Sequence, residues 1–372
     1  MAKIKTAIGF MSGTSMDGID IALVKTDGIA HLEFGPTGEV PYDVHFAQKL
    51  HDALNLANKI DNRLARPDDL AALETEITTR HADALDGFLA DNSLDHTDID
   101  LVGFHGQTIV HRPDLGFTVQ LGDGEMLANK VGIPVVWDMR SNDMENGGQG
   151  APLAPVFHNA LAKFSSAEQP QAFVNIGGIA NVTFTSPDHA PIAFDCGPGN
   201  ALIDQWMQTK TNQSFDEGGA LALTGKADDN VVGRYLLDPF FQESIPKSLD
   251  RNDFTLSQLD VADNADGAAT LAELTARAIA LSRQWAREEP MRWIISGGGR
   301  HNLAIMEALK RLLPNAIVRG ADEVGFNNDA MEAQCWGYLA VRAQRGLPLS
   351  FPSTTGCEEP CTGGVISTPK TA

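Results

Sequence analysis

The stretch Ile8–Val24, IGFMSGTSMDGIDIALV, joins an apolar run to an alternating run through a turn of glycine, hydroxyl and carboxylate residues. This pattern predicts a β-hairpin. Gly13 and Gly18 can adopt backbone angles closed to other residues and let a ligand approach the main chain. Turn amides can then bind phosphate oxygens, and Asp17 or Asp20 can face a phosphate-bound Mg²⁺. The alternative is an ordinary hairpin whose polar side chains cap their own backbone.

Length and charge limit the possible classes of protein. The chain has 372 residues, which favours two domains, and a net charge of −21, which argues against nucleic acid and anionic membranes as partners. No apolar run approaches the ~18 residues that a membrane span needs. The start, Met1–Lys5, leads into a strand and not into a signal-peptide core, so we expect a cytoplasmic protein.

The cysteine pattern gives little support for metal binding. Only Cys357 and Cys361 lie close together, in a Pro/Gly-rich tail, and no second pair or histidine cluster is near them in sequence. A zinc site normally needs more ligands than this. The sequence therefore predicts neither a zinc site nor a disulfide here.

A second hairpin opens the second half of the chain. Residues Ala172–Phe184 form a strand, a turn at Gly177 and Gly178, and another strand that carries Asn181. The two hairpins are too different in sequence to be a repeat. Two lobes that each present a glycine hairpin to one nucleotide are nevertheless the architecture of the actin-like ATPases.

An aspartate follows soon after this hairpin. Asp195 ends the apolar strand that begins at Ile192, and a Gly-Pro-Gly turn and a helix from about Asn200 come next. Apolar neighbours raise the pKa of a carboxyl group, as a general base requires. The alternative is that Asp195 caps the helix.

Three further polar clusters follow predicted strands or loops. A short strand runs into His105-Gly-Gln107-Thr108, and α/β sheets place ligands at such strand ends. The alternative is a turn in which His105 caps the strand. The loop Asn146–Leu153 carries Gln149 among glycines, and just before it Asp138 and Arg140 form either an ion pair or substrate contacts.

Two more candidates lie near the end of the chain. A glycine turn at Gly297, Gly298 and Gly299 lets the backbone lie flat against a purine and ribose, although such a turn is common in proteins. Glu332 lies near the first turn of the last helix, where the helix dipole favours negative charge, and is either a ligand contact or a cap.

The combined motifs are similar to those of the anhydro-N-acetylmuramic acid kinases, members of the sugar kinase, Hsp70 and actin ATPase superfamily. The matching motifs occur in family order and span nearly the whole chain: SGTSMDGID from Ser12, HGQT from His105, GGQGAP from Gly147, NIGGIANVT from Asn175, FDCGPGN from Phe194, GGG from Gly297, and Met331-Glu332. The tail at Thr354–Gly364 departs from the family's usual ending, which leaves its docking open.

The resemblance implies an α/β protein with the two-lobed actin-like ATPase (ribonuclease H-like) fold and an active-site cleft between the lobes. We expect lobes at 1–145 and 146–349, with the tail 350–372 packing back on the first. The implied activity uses ATP and Mg²⁺ to open the 1,6-anhydro ring of anhydro-N-acetylmuramic acid and phosphorylate O6, in cell-wall recycling. A homodimer is also implied.

The resemblance assigns roles to residues that match the motifs. Asp195 matches the catalytic base. The expected ATP contacts are Gly13, Thr14, Ser15, Met16, Asp17, Gly18, Ile19, Asp20, Gly177, Gly178, Asn181, Gly297, Gly298 and Gly299. The expected sugar contacts are His105, Gln107, Thr108, Gln149 and Glu332. Two competing interpretations remain: an ordinary hexose or amino-sugar kinase of the same fold, and a non-enzymatic actin- or Hsp70-like ATP-gated module.

Overall fold

The protein is described here by a computed structural model, which covers residues 3–13, 15–165, 169–250 and 252–370. The chain divides into two compact units, one of Met1–Ser165 with Asp329–Ala372 and one of Ser166–Asn328. The first boundary therefore lies about twenty residues beyond the expected position at 145, because the helix at 155–164 belongs to the first unit. The helix that begins at Met331 also belongs to the first unit, whereas the expected second lobe, 146–349, includes it.

The first unit is built on one mixed sheet. Its strands and helices before residue 166 are β1 (Lys5–Ser12), β2 (Gly18–Thr26), β3 (Leu32–Pro41), α1 (Val44–Leu54), α2 (Leu70–Asp91), β4 (Leu101–Arg112), β5 (Phe117–Leu121), α3 (Gly124–Val131), β6 (Val135–Trp137), α4 (Ser141–Glu145) and α5 (Pro155–Phe164).

The second unit follows the same plan. Its elements are β7 (Gln171–Ile176), β8 (Ile179–Ser186), β9 (His189–Pro198), α6 (Ala201–Thr211), α7 (Asp229–Leu236), α8 (Asn264–Leu281), β10 (Arg292–Ser296), α9 (Leu303–Leu312) and β11 (Ile317–Gly320). The chain then re-enters the first unit as α10 (Met331–Gln344), α11 (Pro352–Thr355) and β12 (Val365–Ser367).

The two sheets repeat one topology. In the first unit the strand order β3-β2-β1-β4-β6 has antiparallel pairs up to β1 and parallel pairs after it. The second unit repeats this order and these directions as β9-β8-β7-β10-β11. The first sheet additionally carries β5 on β4 and the tail strand β12 on β6. Two α/β units with the same strand order confirm the predicted α/β class with two lobes.

Two glycines explain why α10 packs on the first sheet. A Cβ at Gly9 would lie 1.8 Å from the Ala333 carbonyl oxygen, and one at Gly103 would lie 2.2 Å from the Trp336 carbonyl oxygen. Gly9 and Gly103 are partners in the parallel β1–β4 pair. The helix backbone therefore rests directly on the middle of the sheet, a contact that only glycine permits.

Each unit has its own apolar core. Buried side chains between β1–β4 and α1–α3 form one core, and those between β7–β10 and α6–α9 form the other. Among the described residues, no helix is long and apolar enough to cross a membrane.

The expectation about the end of β4 needs correction. β4 does not end at His105: it continues to Arg112, because β5 pairs with its second half. Residues 226–265 contain α7 and short 3₁₀ turns, and Tyr235 from α7 is fully buried in the core.

Candidate active site

Two buried side chains anchor the first hairpin in the core of the first unit. Met16 and Ile19 are buried, and Met16 is the turn residue with a positive φ, at 57°. Gly13 and Gly18 do not have a positive φ, contrary to our expectation. Gly18 is needed because a Cβ there would lie 2.8 Å from the Val40 carbonyl oxygen on β3. Thr14 lies outside the described residues.

A bulge in β4 connects this turn to the His-Gly-Gln-Thr motif. Gly106 has a φ of 73°, and the pairing of β4 with β1 shifts there so that Gln107 lies opposite Ser12. The Ser12 hydroxyl donates to Gln107 Oε1 at 2.6 Å, and Gln107 Nε2 donates to the Gly13 carbonyl oxygen at 3.0 Å. Gln107 is fully buried, and its two hydrogen bonds stabilise the hairpin turn from the core side.

The accessible side chains of this hairpin are acidic or hydroxylic. Ser15 and Asp17 are exposed, and the Ser15 hydroxyl donates to Asp17 at 2.7 Å. Partial burial raises the pKa of the Asp20 carboxyl to about 6, and Glu39, Asp17, Glu332 and Asp329 raise it further by repulsion. This corner of the unit therefore carries negative charge that a bound cation would relieve.

His105 lies in a buried stack beside this hairpin. Its ring lies 4.4 Å from the Trp336 ring, and its Nε2 accepts hydrogen bonds from Arg140 at 3.1 and 3.3 Å. The Arg140 guanidinium lies 5.0 Å from the Trp336 ring centroid and donates to the Gly150 carbonyl oxygen at 2.9 Å.

The ionisation of this stack follows from its surroundings. Burial and the adjacent Arg140 charge hold the pKa of His105 well below its usual value, so the ring is neutral and carries its proton on Nδ1. Desolvation also lowers the pKa of Arg140, to about 10, which leaves it charged at neutral pH. The Glu332 side chain is exposed to solvent. Desolvation by the atoms packed around its carboxyl group nevertheless raises the pKa of that group, and the Arg140 charge partly offsets this effect.

The structure also shows the partners of Asp138 and of two further predicted sugar contacts, Thr108 and Gln149. Asp138 pairs with Arg63 at 2.6 Å and not with Arg140, so the ion pair that we considered between Asp138 and Arg140 does not form. Thr108 is partly buried and its hydroxyl accepts from Gln120 at 3.3 Å. Gln149 is partly exposed, and its backbone amide donates to the Thr355 carbonyl oxygen at 2.8 Å.

In the second unit the two glycine turns are neighbours. β7 and β10 are parallel with Asn175 opposite Ser296, so the turns that follow them leave the same edge of the sheet. A Cβ at Gly297 would lie 2.4 Å from Asn175 Oδ1, and one at Gly299 would lie 2.3 Å from Ile176. These two glycines are thus required by packing.

The remaining glycines of these turns are more open. A Cβ at Gly298 would meet only Asn200, at 3.7 Å, and Gly178 is exposed. The carbonyl oxygens of Gly177 and Gly178 accept hydrogen bonds from the amides that begin α6, such as that of Asn200 at 2.8 Å. The open main chain therefore lies at Gly178 and Gly298, beside the start of a helix, which is where anionic groups bind in many proteins.

Four polar residues form a row across the same sheet. Ser296 lies opposite Asn175, Asn175 opposite Asn181, and Asn181 opposite Asp195. All four are partly exposed among buried neighbours. A bulge at Cys196 in β9 sets the last pairing. Residues paired across strands project to the same face, so this row leads from the glycine turns to Asp195.

Asp195 has the environment of a general base. Its Oδ2 accepts one hydrogen bond, from the Leu249 amide at 2.8 Å, and its own amide donates to the Lys247 carbonyl oxygen at 3.0 Å. Burial raises the pKa of its carboxyl to about 6, and the Leu249 hydrogen bond opposes this only in part. Asp195 lies inside β9 and does not cap α6, whose first residue is Ala201.

Three contributors to these clusters have roles that the sequence did not predict. The segment Lys247–Leu249 holds Asp195, although nothing in its composition marks it. Arg140 was considered for a substrate contact, but its bonds to His105 depend on a pairing 35 residues apart. Asn175 could have been found from the alternation of β7, since Asn175 is its one polar residue beside the glycine turn.

Comparison with known proteins gives one family. The sequence model described as "Anhydro-N-acetylmuramic acid kinase" matches residues 5–369. Among solved structures, the chain is similar to component A of the (R)-2-hydroxyglutaryl-CoA dehydratase of Acidaminococcus fermentans, with a TM-score of 0.44 and 12% identity over 91% of this chain and 99% of that one. That likeness is too distant to bear on activity.

Curated relatives agree with the family model over almost the full length. A protein of Agrobacterium fabrum is 50% identical over 98% of this chain and 99% of its own, and one of Rhizobium etli is 48% identical over 99% of this chain and 100% of its own. A Brucella canis protein is 49% identical over 98% of this chain and 99% of its own. All three are named anhydro-N-acetylmuramic acid kinase. The chain therefore belongs to the anhydro-N-acetylmuramic acid kinase family.

Proposed function

We propose that this protein transfers the γ-phosphoryl group of ATP to anhydro-N-acetylmuramic acid while water opens the sugar's 1,6-anhydro bridge. The products are N-acetylmuramic acid 6-phosphate and ADP, and the reaction serves the recycling of cell-wall peptidoglycan. The observation that best supports this proposal is the position of Asp195. It is a single carboxylate of raised pKa, and it lies in the polar row that leads to the glycine turns after β7 and β10. Membership of the kinase family supplies the substrate.

Asp195 acts as the general base in this proposal. Its carboxylate takes a proton from a water molecule as the water oxygen forms a bond to C1 of the sugar. A carboxyl group with a pKa of about 6 is ionised at neutral pH and still basic enough to accept a proton in the transition state. The Leu249 amide holds one carboxylate oxygen and leaves the other for the water.

One carboxylate is enough because the leaving oxygen is not released as an alcohol. Glycosidases use a second carboxyl group to protonate the leaving oxygen. Here the C1–O6 bond breaks while O6 forms a bond to the γ-phosphorus of ATP, and the bond from that phosphorus to the bridging oxygen of ADP breaks. The phosphoryl group thus takes the place of the acid proton.

ATP is assigned to the glycine turns. Gly177, Gly178 and Asn181 would contact phosphates, and the turn Gly297–Gly299 would contact adenosine, with Gly298 the position where the backbone is open. In the first unit, Gly13, Ser15 and Asp17 are the accessible residues of the phosphate hairpin. Met16, Gly18 and Ile19 support that hairpin from the core.

The acidic corner of the first unit fits Mg²⁺. Asp17 and Asp20 supply the oxygen ligands that Mg²⁺ prefers, and the raised pKa of Asp20 indicates negative charge without enough compensation. These residues would hold the ion through its water shell. When bound, Mg²⁺ neutralises charge on the β- and γ-phosphates.

Sugar recognition is assigned to the stack of the first unit. Glu332, Thr108 and Gln149 carry accessible polar groups, whereas His105 and Gln107 would act through Arg140 and through the hairpin turn. We further propose that the enzyme works in the cytoplasm, where ATP is available, and that it is a homodimer.

A substrate panel tests the proposal. The protein is incubated with ATP and Mg²⁺ and either 1,6-anhydro-N-acetylmuramic acid, N-acetylmuramic acid, N-acetylglucosamine or glucose, and ADP and sugar phosphate are measured. The proposal predicts phosphorylation of the anhydro sugar at least tenfold faster than of the others. Faster phosphorylation of an ordinary sugar would instead favour a hexose or amino-sugar kinase, and ATP-dependent polymerisation without turnover would favour an actin-like module.

A further inference from the structure

Three potential metal ligands meet in the first unit, beside the loop that carries Gln149. Cys357 and Cys361 lie in the tail, and Asp143 lies in α4, more than 200 residues earlier in the chain. One ligand atom from each of the three lies within 4.8 Å of the others. All three side chains are buried, and both cysteines are free thiols.

The carboxyl group of Asp143 is buried in the first unit. Its side chain is 1% exposed, and within the described ranges no lysine, arginine or histidine forms a salt bridge with it. Buried carboxylates are normally paired with a cation or bound to a metal ion. Two thiols lie beside it, which become anionic ligands when a metal displaces their protons, and the Arg140 charge acts on it without forming a salt bridge.

The carboxylate is also held in a fixed orientation. Its Oδ1 accepts hydrogen bonds from the hydroxyls of Thr355, at 2.6 Å, and Ser350, and its Oδ2 accepts from the Gly150 amide at 2.6 Å. Hydrogen bonds of this kind orient carboxylates that bind metal ions and leave one lone pair free for the metal.

We propose that Cys357, Cys361 and Asp143 form a binding site for a soft divalent ion of the zinc type, with water as the fourth ligand. Two thiolates and one carboxylate form a set that zinc prefers and that Mg²⁺ does not. Donor atoms on one tetrahedral zinc ion lie roughly 3.3–3.8 Å apart, so small side-chain shifts would complete the site from the observed separations. Binding releases the two thiol protons to solvent and changes no oxidation state.

The site would tie the tail to the loop that carries Gln149. The Gln149 amide already donates to the Thr355 carbonyl oxygen, and the Glu358 amide donates to the Asn146 carbonyl oxygen at 3.1 Å. The proposed ion would add a link between α4 and the tail at the same place. This role goes beyond the proposed activity and does not depend on it.

Metal content and cobalt binding test the proposal. The 372-residue chain is expressed in medium that contains zinc and is dialysed against a weak chelator. The number of bound metal ions per chain is then measured. We expect about one zinc ion per chain in the parent protein and in the control Cys335→Ala, whose thiol lies outside the site, and at least tenfold less in Cys357→Ser and Cys361→Ser. Co²⁺ added to the metal-free parent protein should produce the near-ultraviolet thiolate-to-cobalt absorption band.

A more conservative variant tests the proposal even if the cysteine variants misfold. Thr355→Val keeps the buried shape but removes a hydrogen bond to Asp143, so we expect about tenfold weaker Co²⁺ binding with an unchanged circular dichroism spectrum. Two results would overturn the proposal. One is a metal-free parent protein that shows no cobalt–thiolate band and titrates with four thiols after denaturation. The other is a protein that titrates with two fewer thiols, which would mean that Cys357 and Cys361 form a disulfide instead.

Discussion

Asn181 lies directly opposite Asp195 across β8 and β9, and both side chains are partly exposed on the same face of the sheet. The bulge at Cys196 makes this pairing, since without it the next residue of β9 would face Asn181 and Asp195 would project to the other face. The pairing connects the proposed base with the row of polar residues that leads to the glycine turns. It is therefore the relationship on which the proposed chemistry depends most.

Replacing Asp195 tests the base directly. Asp195→Asn keeps the shape and an acceptor for the Leu249 amide but cannot take a proton from water. We expect turnover to fall by about 10²–10⁴-fold, the contribution typical of a general base. ATP binding, measured by calorimetry, should change by less than about threefold. A folded variant with near-full turnover would rule out this role.

The pH dependence of the parent enzyme gives an independent check. The base must be ionised, and burial raises the pKa of Asp195 to about 6, so protonation removes activity as the pH falls through that value. We expect kcat/KM to be flat above pH ~7 and to fall tenfold per unit well below pH ~6. An acidic limb near pH ~4, the range of an ordinary aspartate, would contradict the proposed environment.

A second carboxylate should move this acidic limb. Asn181→Asp places a negative charge opposite Asp195, which disfavours ionisation of Asp195 and should shift the limb upward by about one pH unit. Asn175→Asp is the matched control, because it adds the same charge one strand farther away, roughly 5 Å beyond Asn181. Equal shifts for the two variants would mean that the cross-strand pairing does not control the pKa.

The adenosine turn can be probed without disturbing the fold. A Cβ at Gly298 meets nothing closer than 3.7 Å, so Gly298→Ala should leave the melting temperature unchanged while raising the KM for ATP about tenfold, as a loss of ~1.4 kcal/mol implies. Gly299→Ala is the contrast, because its Cβ would lie 2.3 Å from Ile176 and should lower stability. An unchanged KM in Gly298→Ala would remove this turn from the ATP site.

Stability of the first unit should depend on its two central glycines. Gly9→Ala forces a Cβ against the Ala333 carbonyl oxygen and should cost at least about 1–3 kcal/mol of unfolding free energy. The matched control is Gly87→Ala in α2, where a Cβ meets nothing within 4 Å and should stabilise by about 0.5–1 kcal/mol. Chemical denaturation followed by circular dichroism measures both. A neutral Gly9→Ala would mean that α10 does not rest on the sheet as described.

The features predicted from sequence are those set by short-range patterns. Both glycine hairpins, the strand that carries Asp195 and the longer helices follow from turn residues and hydrophobic spacing. What could not be predicted depends on contacts between distant residues: the return of α10 to the first sheet, the bond between Arg140 and His105, and the hold of Leu249 on Asp195. The cysteine pair was dismissed because its third partner, Asp143, is remote in sequence.

The role of Gly18 shows the same limit. A glycine in a turn suggests a special backbone angle, but here the positive φ belongs to Met16 and Gly18 is needed for the approach of β3. Sequence identifies the position as special, and only the tertiary structure gives the reason.

The most direct test of the central claim is a single-turnover reaction with ATP, Mg²⁺ and 1,6-anhydro-N-acetylmuramic acid in ¹⁸O-labelled water. The products are read by mass spectrometry before the C1 hydroxyl exchanges with solvent. The account predicts one ADP per sugar, phosphate on O6 and ¹⁸O at C1. Sugar phosphate without ¹⁸O at C1, or ADP formed with no sugar product, would contradict it.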